Sequence, residues 1–184
     1  MEGAKNRGVF LQRVDEGNET KILGQLAGTV STIDESTQQP ADTLTESTYF
    51  TLSVKNDGDT HNLTYGPWDD VDVNSDNMID DRDEQAMTEL ALSYYHQITL
   101  KAPHGIFLYL INSNHTTLQV LVQISKKAGN LLTDSTSFTA ISTDGGSSFT
   151  IPDFSIDVDG DNQANHDDKT SIERLVSAFT SFKL

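Results

Sequence analysis

Polar and apolar residues alternate along much of the chain, in short runs that are separated by polar turns. Such alternation is typical of β-strands with one buried face. The clearest run is 47–55, and further strands are predicted at 8–14, 21–33, 61–65, 98–102, 106–111, 117–124, 138–141 and 148–151. Gly24 and Gly28 indicate bulges or close packing within the second strand. The polar residues 34–46, which include Pro40, predict a surface loop.

Two other stretches have the apolar spacing of a helix, in which residues three and four positions apart share one face. The first stretch is predicted to pack back onto the sheet, and the second has an apolar face of the same kind. The two apolar stripes consist of Ala86, Met87, Leu90, Ala91, Tyr94 and Tyr95, and of Ile172, Leu175, Val176, Phe179 and Phe182.

These elements predict a mainly β protein, with a β-sandwich or barrel-like core of about seven to nine strands and two EF-hand-like calcium loop–helix units. The length of 184 residues corresponds to a single β-rich domain over residues 1–184. The loop–helix units are predicted at 72–97 and 157–182. An apolar content of only 35%, balanced by Ser, Thr, Asn and Asp, favours β-structure with many polar turns.

The net charge of −16 is concentrated in two segments of the chain. Nearly half of the 28 acidic residues lie in 69–83 and 153–168, and elsewhere acidic and basic residues are closer to balance. Because the negative charge is confined to two segments, it argues against an adaptation that makes the whole surface acidic, and it indicates a bound cation. The chain has no basic patch interleaved with aromatic residues, so no nucleic-acid partner is expected.

The first acidic segment has the ligand spacing of an EF-hand-type calcium loop. With Asp72 as position 1, oxygen-bearing side chains fall at positions 1, 3, 5, 9 and 12, and the apolar Ile79 falls at position 8. Position 6 must turn sharply, and Asn77 suits it because Asn tolerates the left-handed conformation. Position 7 offers only its backbone carbonyl. The predicted ligands of the first ion are Asp72, Asn74, Asp76, Met78, Asp80 and Asp83.

The second acidic segment repeats this spacing, with Asn162 at position 6. The residues that precede the two loops also match, because Pro67 and Pro152 each lie five residues before the first aspartate of a loop. The predicted ligands of the second ion are Asp157, Asp159, Asp161, Gln163, Asn165 and Asp168, with Asn165 acting through water and Gln163 through its carbonyl. Two loops with one plan and matching flanks predict two calcium ions.

Each unit resembles the calcium loop and single exiting helix of a dockerin repeat, including the Asp at position 12. The resemblance implies calcium binding and a pairing of the two units. Two features depart from dockerins: a long strand-like segment separates the units, and the positions that contact cohesin in dockerins are Asp81-Arg82 and His166-Asp167.

No other motif in the chain indicates catalysis, so the protein is predicted not to be an enzyme. It contains no cysteine, its histidines lack the spacing of a zinc site, and no nucleophile elbow or phosphate-binding loop is present. No apolar run is long enough to span a membrane. The first residues lack the apolar core of a signal peptide, and we expect a mature region of a secreted or cell-surface protein.

The sequence therefore predicts an extracellular or cell-surface module that calcium rigidifies for adhesion, matrix or surface assembly, with partners that include other copies of the chain or another surface protein. Loops that end in Asp bind calcium in the range of extracellular modules. The alternative is a carbohydrate- or protein-binding module of dockerin/cohesin type, with Trp68 either as a sugar platform or as a core anchor. Pro67 and Pro152 disfavour an intracellular sensor, because they prevent a helix from entering either loop.

Overall fold

In the described part of the chain, the strands form one antiparallel sheet, and two helices accompany it. The computed structural model describes residues 6–33, 40–44, 48–55, 60–65, 73, 78, 80–99, 104–113, 116–128, 131–152 and 154–180. Its elements are β1 (Asn6–Glu16), β2 (Glu19–Ile33), β3 (Pro40–Leu44), β4 (Thr48–Lys55), β5 (His61–Tyr65), α1 (Asp81–Gln97), β6 (His104–Ser113), β7 (Leu118–Ala128), β8 (Leu131–Ser142) and α2 (His166–Thr180). The strand order is β5-β4-β2-β1-β6-β7-β8, and β3 pairs with the far end of β2.

One face of the sheet is buried because apolar residues occupy every second position in the central strands. Val9 and Leu11 of β1 pair with Leu108 and Ile106 of β6, and all four side chains are fully buried. Helix α1 packs on β1, β2 and β4, and α2 packs on α1. The buried apolar residues of both helices belong to the same cluster as those of the sheet.

The prediction of a mainly β protein is therefore confirmed, but the layers differ from the predicted sandwich or barrel-like core. Among the described residues, the strands form one sheet, and helices provide the second layer. An alternating strand indicates that one of its faces is covered. It does not indicate whether a sheet or a helix covers that face.

Three predicted segments differ from the structure in their secondary structure. Residues 40–44, expected within a loop, form β3, which begins at Pro40 and pairs with the far half of β2. Proline is tolerated at the first residue of an edge strand, where its missing N–H leaves no ladder bond unmade. The predicted strand at 148–151 is only a bridge between Thr150 and Ile141. In the predicted strand at 98–102, Ile98 instead caps α1, and residues 100–102 lie outside the described part.

Gly24, in the middle of β2, leaves space for an aromatic ring to lie directly over the strand backbone. A Cβ atom at Gly24 would lie 2.1 Å from the ring of Phe50, its direct partner in β4. The close packing predicted at Gly24 is therefore confirmed. The Phe50 ring lies over the Gly24 backbone and is almost completely buried there.

The sheet has an approximate twofold arrangement about the pair formed by β1 and β6. Phe10 pairs directly with Phe107, and the segments around them match as Gly-Val-Phe-Leu at 8–11 and Gly-Ile-Phe-Leu at 105–108. On one side follow β2, β4 and β5; on the other follow β7, β8 and the bridge at Thr150. Each half then continues into an acidic loop and a helix, so the two halves repeat one order of elements, with β3 as an addition to the first half.

Candidate metal centre

The second acidic loop is closed by a buried carboxylate at the start of α2. The side chain of Asp168 is fully buried. Its Oδ1 accepts the amide hydrogens of Val158 at 2.7 Å and of Asp159 at 3.2 Å, and its Oδ2 accepts the amide hydrogen of Asn165 at 2.8 Å. A carboxylate has about four lone-pair sites, so these three bonds satisfy the buried charge and still leave capacity for a cation.

Three carboxylates meet within this loop. One oxygen from each of Asp157, Asp159 and Asp161 lies within 4.8 Å of the oxygens of the other two. Asp157 is half-buried, whereas Asp159 and Asp161 are exposed. Carboxylate oxygens at this separation can serve as common ligands of one hard cation.

Backbone amides of the loop hold these carboxylates in place. Asp157 accepts the amides of Gly160 and Asn162 at 2.6 and 2.8 Å. Asp159 accepts the amide of Asp161 at 2.9 Å, so each of these aspartates forms a local turn with its own side chain. Asn162 has a φ of 71°, which confirms the left-handed turn that we predicted at position 6 of this loop.

The electrostatics of the triad differ from one carboxylate to the next. Burial raises the pKa of Asp157, but hydrogen bonds from Gly160, Asn162, Asp159 and Asp161 together outweigh that effect, so its pKa lies below the ordinary value. The amide bond from Asp161 lowers the pKa of Asp159, but desolvation and neighbouring negative charges outweigh it, so that pKa lies above the ordinary value. The negative charges acting on Asp159 belong to Asp161, Asp168 and Asp157. A divalent cation would relieve this repulsion.

The first loop is closed in the same way at the start of α1. Asp83 is only 3% exposed. Its Oδ1 accepts the amide hydrogen of Val73, ten residues earlier, at 2.8 Å, and its Oδ2 accepts that of Asp80, three residues earlier, at 3.0 Å. Asp168 makes the corresponding bonds with Val158 and Asn165, also ten and three residues earlier. We refer to this two-point closure by the carboxylate at position 12 as the loop clamp.

Part of each clamp is a helix capping box, which contributes to helix stability whether or not a metal is bound. Asp80 is the N-cap of α1 and accepts the amide of Arg82 at 2.9 Å, while Asp83 returns a bond to the Asp80 amide. Asn165 similarly accepts the amide of Asp167 at 2.7 Å before α2. Positions 9 and 12 of each predicted loop thus coincide with the two partners of a capping box.

In the second loop the structure brings together the carboxylates of three predicted ligands, Asp157, Asp159 and Asp161. Only part of the first loop lies within the described residues. Asp72, Asn74, Asp76 and Asn77 lie outside that part. The side chain of Met78 is 53% exposed, in keeping with a position that offers only its carbonyl. Gln163 and Asn165 are exposed in the second loop, and Asn165 Nδ2 lies 3.5 Å from Asp161 Oδ2. Trp68, the candidate sugar platform or core anchor, is also outside the described residues.

Our sequence reasoning missed the loop clamp itself. We predicted Asp83 and Asp168 as metal ligands, and the structure shows that both also accept backbone amides across their loops. The spacing of Asp80 to Asp83 and of Asn165 to Asp168, just before apolar helical runs, is a capping-box signal that could have revealed half of the clamp. The bonds to Val73 and Val158 have no comparable signal, because they depend on the path of the folded loop.

A second polar cluster, at the turn after β8, is structural. Asp144 accepts hydrogen bonds from the hydroxyl groups of Ser142 and Ser148 at 2.7 and 2.6 Å. The bond from Ser148, followed by that from Ser142, lowers the pKa of Asp144 to about 2. These bonds stabilise the turn that contains Gly145 and Gly146, both with positive φ.

Two further findings concern the chain as a whole. No helix in the described part of the chain is both long and apolar enough to cross a lipid bilayer. Comparison with protein-family models, with curated proteins and with solved structures finds no match to this chain. The chemistry of the centre is therefore inferred from its own residues.

Proposed function

We propose that this protein is a secreted or cell-surface structural module in which calcium binds the acidic loops and rigidifies the β-rich fold. The main support is the convergence of the carboxylates of Asp157, Asp159 and Asp161 within 4.8 Å in the loop that the Asp168 clamp closes. In this proposal the ion does no catalysis. Because it binds the folded loop and not the unfolded chain, its binding free energy adds to the stability of the fold.

Calcium fits the second loop better than other common cations. It takes six to eight oxygen ligands in flexible geometry, whereas magnesium requires a near-ideal octahedron and retains several waters. The proposed ligands are carboxylate oxygens, a backbone carbonyl and a water, and they exclude the sulfur and imidazole ligands of a typical zinc site. They come from Asp157, Asp159, Asp161, Gln163, Asn165 and Asp168.

A second calcium ion is proposed for the first loop. The ligands there would be Asp72, Asn74, Asp76, Met78, Asp80 and Asp83. The support is the spacing of these residues together with the clamp at Asp83, which matches the clamp at Asp168 in both of its bonds. Each unit would then be a dockerin-like calcium loop with one exiting helix.

The proposed location and role follow from the expected affinity. Loops of this kind that end in Asp bind calcium at concentrations that are sustained outside the cell. There the ion would be permanently bound, and the module would serve adhesion, matrix or surface assembly. Copies of the chain, or another surface protein, are the proposed partners.

Calorimetric titration with calcium tests this proposal. We expect two sites in the parent chain, one in Asp157→Ala, and two in Asp167→Ala, which makes the same charge change at an exposed neighbour outside the ligand positions. At calcium concentrations about 100-fold above Kd, each bound ion should stabilise the fold by about 2.7 kcal/mol, which corresponds to a rise in Tm of roughly 5–10 °C per site that EDTA reverses. An unchanged Tm and the absence of binding heat would refute calcium binding.

Carbohydrate binding is a second candidate function, favoured by aromatic side chains on the sheet face opposite the helices. Tyr49 is 54% exposed, and its hydroxyl accepts a hydrogen bond from the amide of Gln25 at 3.1 Å. Phe107 and Tyr109 stack on the same face with ring centroids 5.9 Å apart. Aromatic faces beside amide groups suit sugar rings and their hydroxyl groups. Retention on insoluble polysaccharides should fall in Tyr49→Ala and persist in Tyr49→Phe; equal retention of all three would reject this function.

A further inference from the structure

Thr99, the second residue after α1, contacts the second loop, although the two are far apart in sequence. The amide of Thr99 donates a hydrogen bond to the carbonyl of Val158 at 3.0 Å. Its hydroxyl donates a second bond to the carbonyl of Asp159 at 2.8 Å. The first unit therefore contributes a contact to the loop of the second.

Thr99 and Asp168 both bind the backbone of the same two residues, Val158 and Asp159. The amides of Val158 and Asp159 donate to the Asp168 carboxylate, while their carbonyls accept from Thr99. Position 2 of the loop and position 3, which is itself a proposed ligand, are thus held between the end of one helix and the start of the other.

Helix α1 connects this contact to the first loop. At its start, Asp83 clamps the first loop through the amides of Val73 and Asp80. At its end, the amide of Ile98 donates to the carbonyl of Tyr94, and Thr99 follows immediately. The 17 residues of α1 span about 25 Å, and their buried face is fixed against the sheet. The first clamp and the support of the second loop therefore lie at the two ends of one helix.

We propose that Thr99 is a positioning residue for the second loop and that α1 couples the closure of the first loop to that of the second. The coupling is present in the metal-free chain. It rests on the proposed function only where calcium affinity is used to measure it. With both loops filled, it makes the binding of one ion strengthen the binding of the other.

Hydrogen exchange on the full chain in EDTA tests the role of Thr99. Thr99→Val removes the hydroxyl donor and keeps the branched shape, whereas Thr99→Ser keeps the donor. We expect the amides of Val158 and Asn165 to exchange about threefold to tenfold faster in Thr99→Val, and at the parent rate in Thr99→Ser. Equal rates in all three proteins would overturn the proposal, as would equal acceleration throughout β6 and β7, which indicates loss of global stability alone.

The coupling through α1 is tested by a change in the other unit. Asp83→Asn weakens the first clamp, and Asp81→Asn is the matched control at an exposed position of the same helical turn. Faster exchange of the Val158 amide in Asp83→Asn, but not in Asp81→Asn, supports the coupling. Acceleration confined to Val73 and Asp80 contradicts it.

Calcium titration of the same variants separates this proposal from the proposed function. We expect Thr99→Val to weaken calcium binding at the second loop by about threefold to tenfold, with Thr99→Ser at the parent value. A parent chain that binds no calcium would reject the proposed function, and the exchange results would still decide the coupling. Calcium binding in the parent with equal affinity in both variants would reject the role of Thr99.

Discussion

The carboxylate of Asp168 accepts the amide hydrogen of Val158, ten residues earlier, at 2.7 Å. This bond joins the start of α2 to the start of the second acidic loop, and both residues are fully buried. A charged group in such a position is stable only while its hydrogen bonds are made. The loop and the helix should therefore open together, even in the absence of metal.

Removal of this carboxylate should destabilise the metal-free protein. Asp168→Ala leaves the amides of Val158 and Asn165 without their acceptor, and we expect a loss of about 2–4 kcal/mol in the free energy of unfolding. Asp167→Ala, at an exposed position in the same turn, should cost no more than about 0.5 kcal/mol. Denaturant unfolding in EDTA measures both, and similar losses would show that the clamp contributes little.

The left-handed conformation of Asn162 leads to a second prediction. Since its φ is 71°, Asn162→Gly should leave stability near the parent value, whereas Asn162→Ala should cost about 1–2 kcal/mol. Thermal unfolding in EDTA measures the difference without any contribution from an ion. Equal stability of the two variants would indicate that the turn can relax to another conformation.

The contact between Gly24 and Phe50 leads to a third prediction. Gly24→Ala places a methyl group against a ring that is buried in the core, and we expect a loss of about 1–3 kcal/mol. Gly8→Ala meets the rings of Phe107 and Tyr109 at 2.9 and 3.1 Å, and both rings are only half-buried, so its cost should be smaller.

A double variant identifies the cause of the Gly24→Ala effect. If the ring of Phe50 is responsible, Phe50→Leu should cost less in the Gly24→Ala background than in the parent chain. Strictly additive losses in denaturant unfolding would argue against this contact.

The turn around Asp144 leads to a prediction about acid stability. Its pKa is lowered from an ordinary value of 3.8 to about 2, mainly by the hydroxyl of Ser148. A carboxylate whose pKa is lower in the folded state stabilises the protein when the pH is above its unfolded-state pKa. This contribution is lost as the pH falls towards about 2. The stability gap between the parent and Asp144→Asn should therefore be constant above about pH 5 and shrink between pH 4 and 2. Urea unfolding across this range measures it, and a constant gap would contradict the assignment.

Local patterns were sufficient to predict most of the secondary structure. The alternation at 47–55 predicted β4, and the helical spacing from Ala86 to Tyr95 predicted α1, because each element buries one face along its own length. The left-handed turn at Asn162 was also predictable, since few residues tolerate it. The β3 strand was missed because its polar sequence does not indicate a strand. It forms because the far end of β2 supplies its hydrogen-bond partners.

Relationships between distant residues could not be predicted in this way. Nothing in the sequence near Thr99 indicates that it donates to the carbonyls of Val158 and Asp159, because that contact exists only after α1 is placed beside the second loop. The sequence also could not predict that helices, and not a second sheet, cover the buried face. An apolar face on β1 is equally compatible with a covering sheet and with covering helices.

The direct pairing of Phe10 with Phe107 has a consequence for folding kinetics. The hairpins β1–β2 and β6–β7 join segments close together in the chain, whereas β1 and β6 are separated by the whole first half. Closure of so long a segment is entropically costly, so the hairpins should form before the two halves join through the pairing of β1 with β6. Pulse-labelling hydrogen exchange during refolding should show protection in each hairpin first and along β1–β6 last.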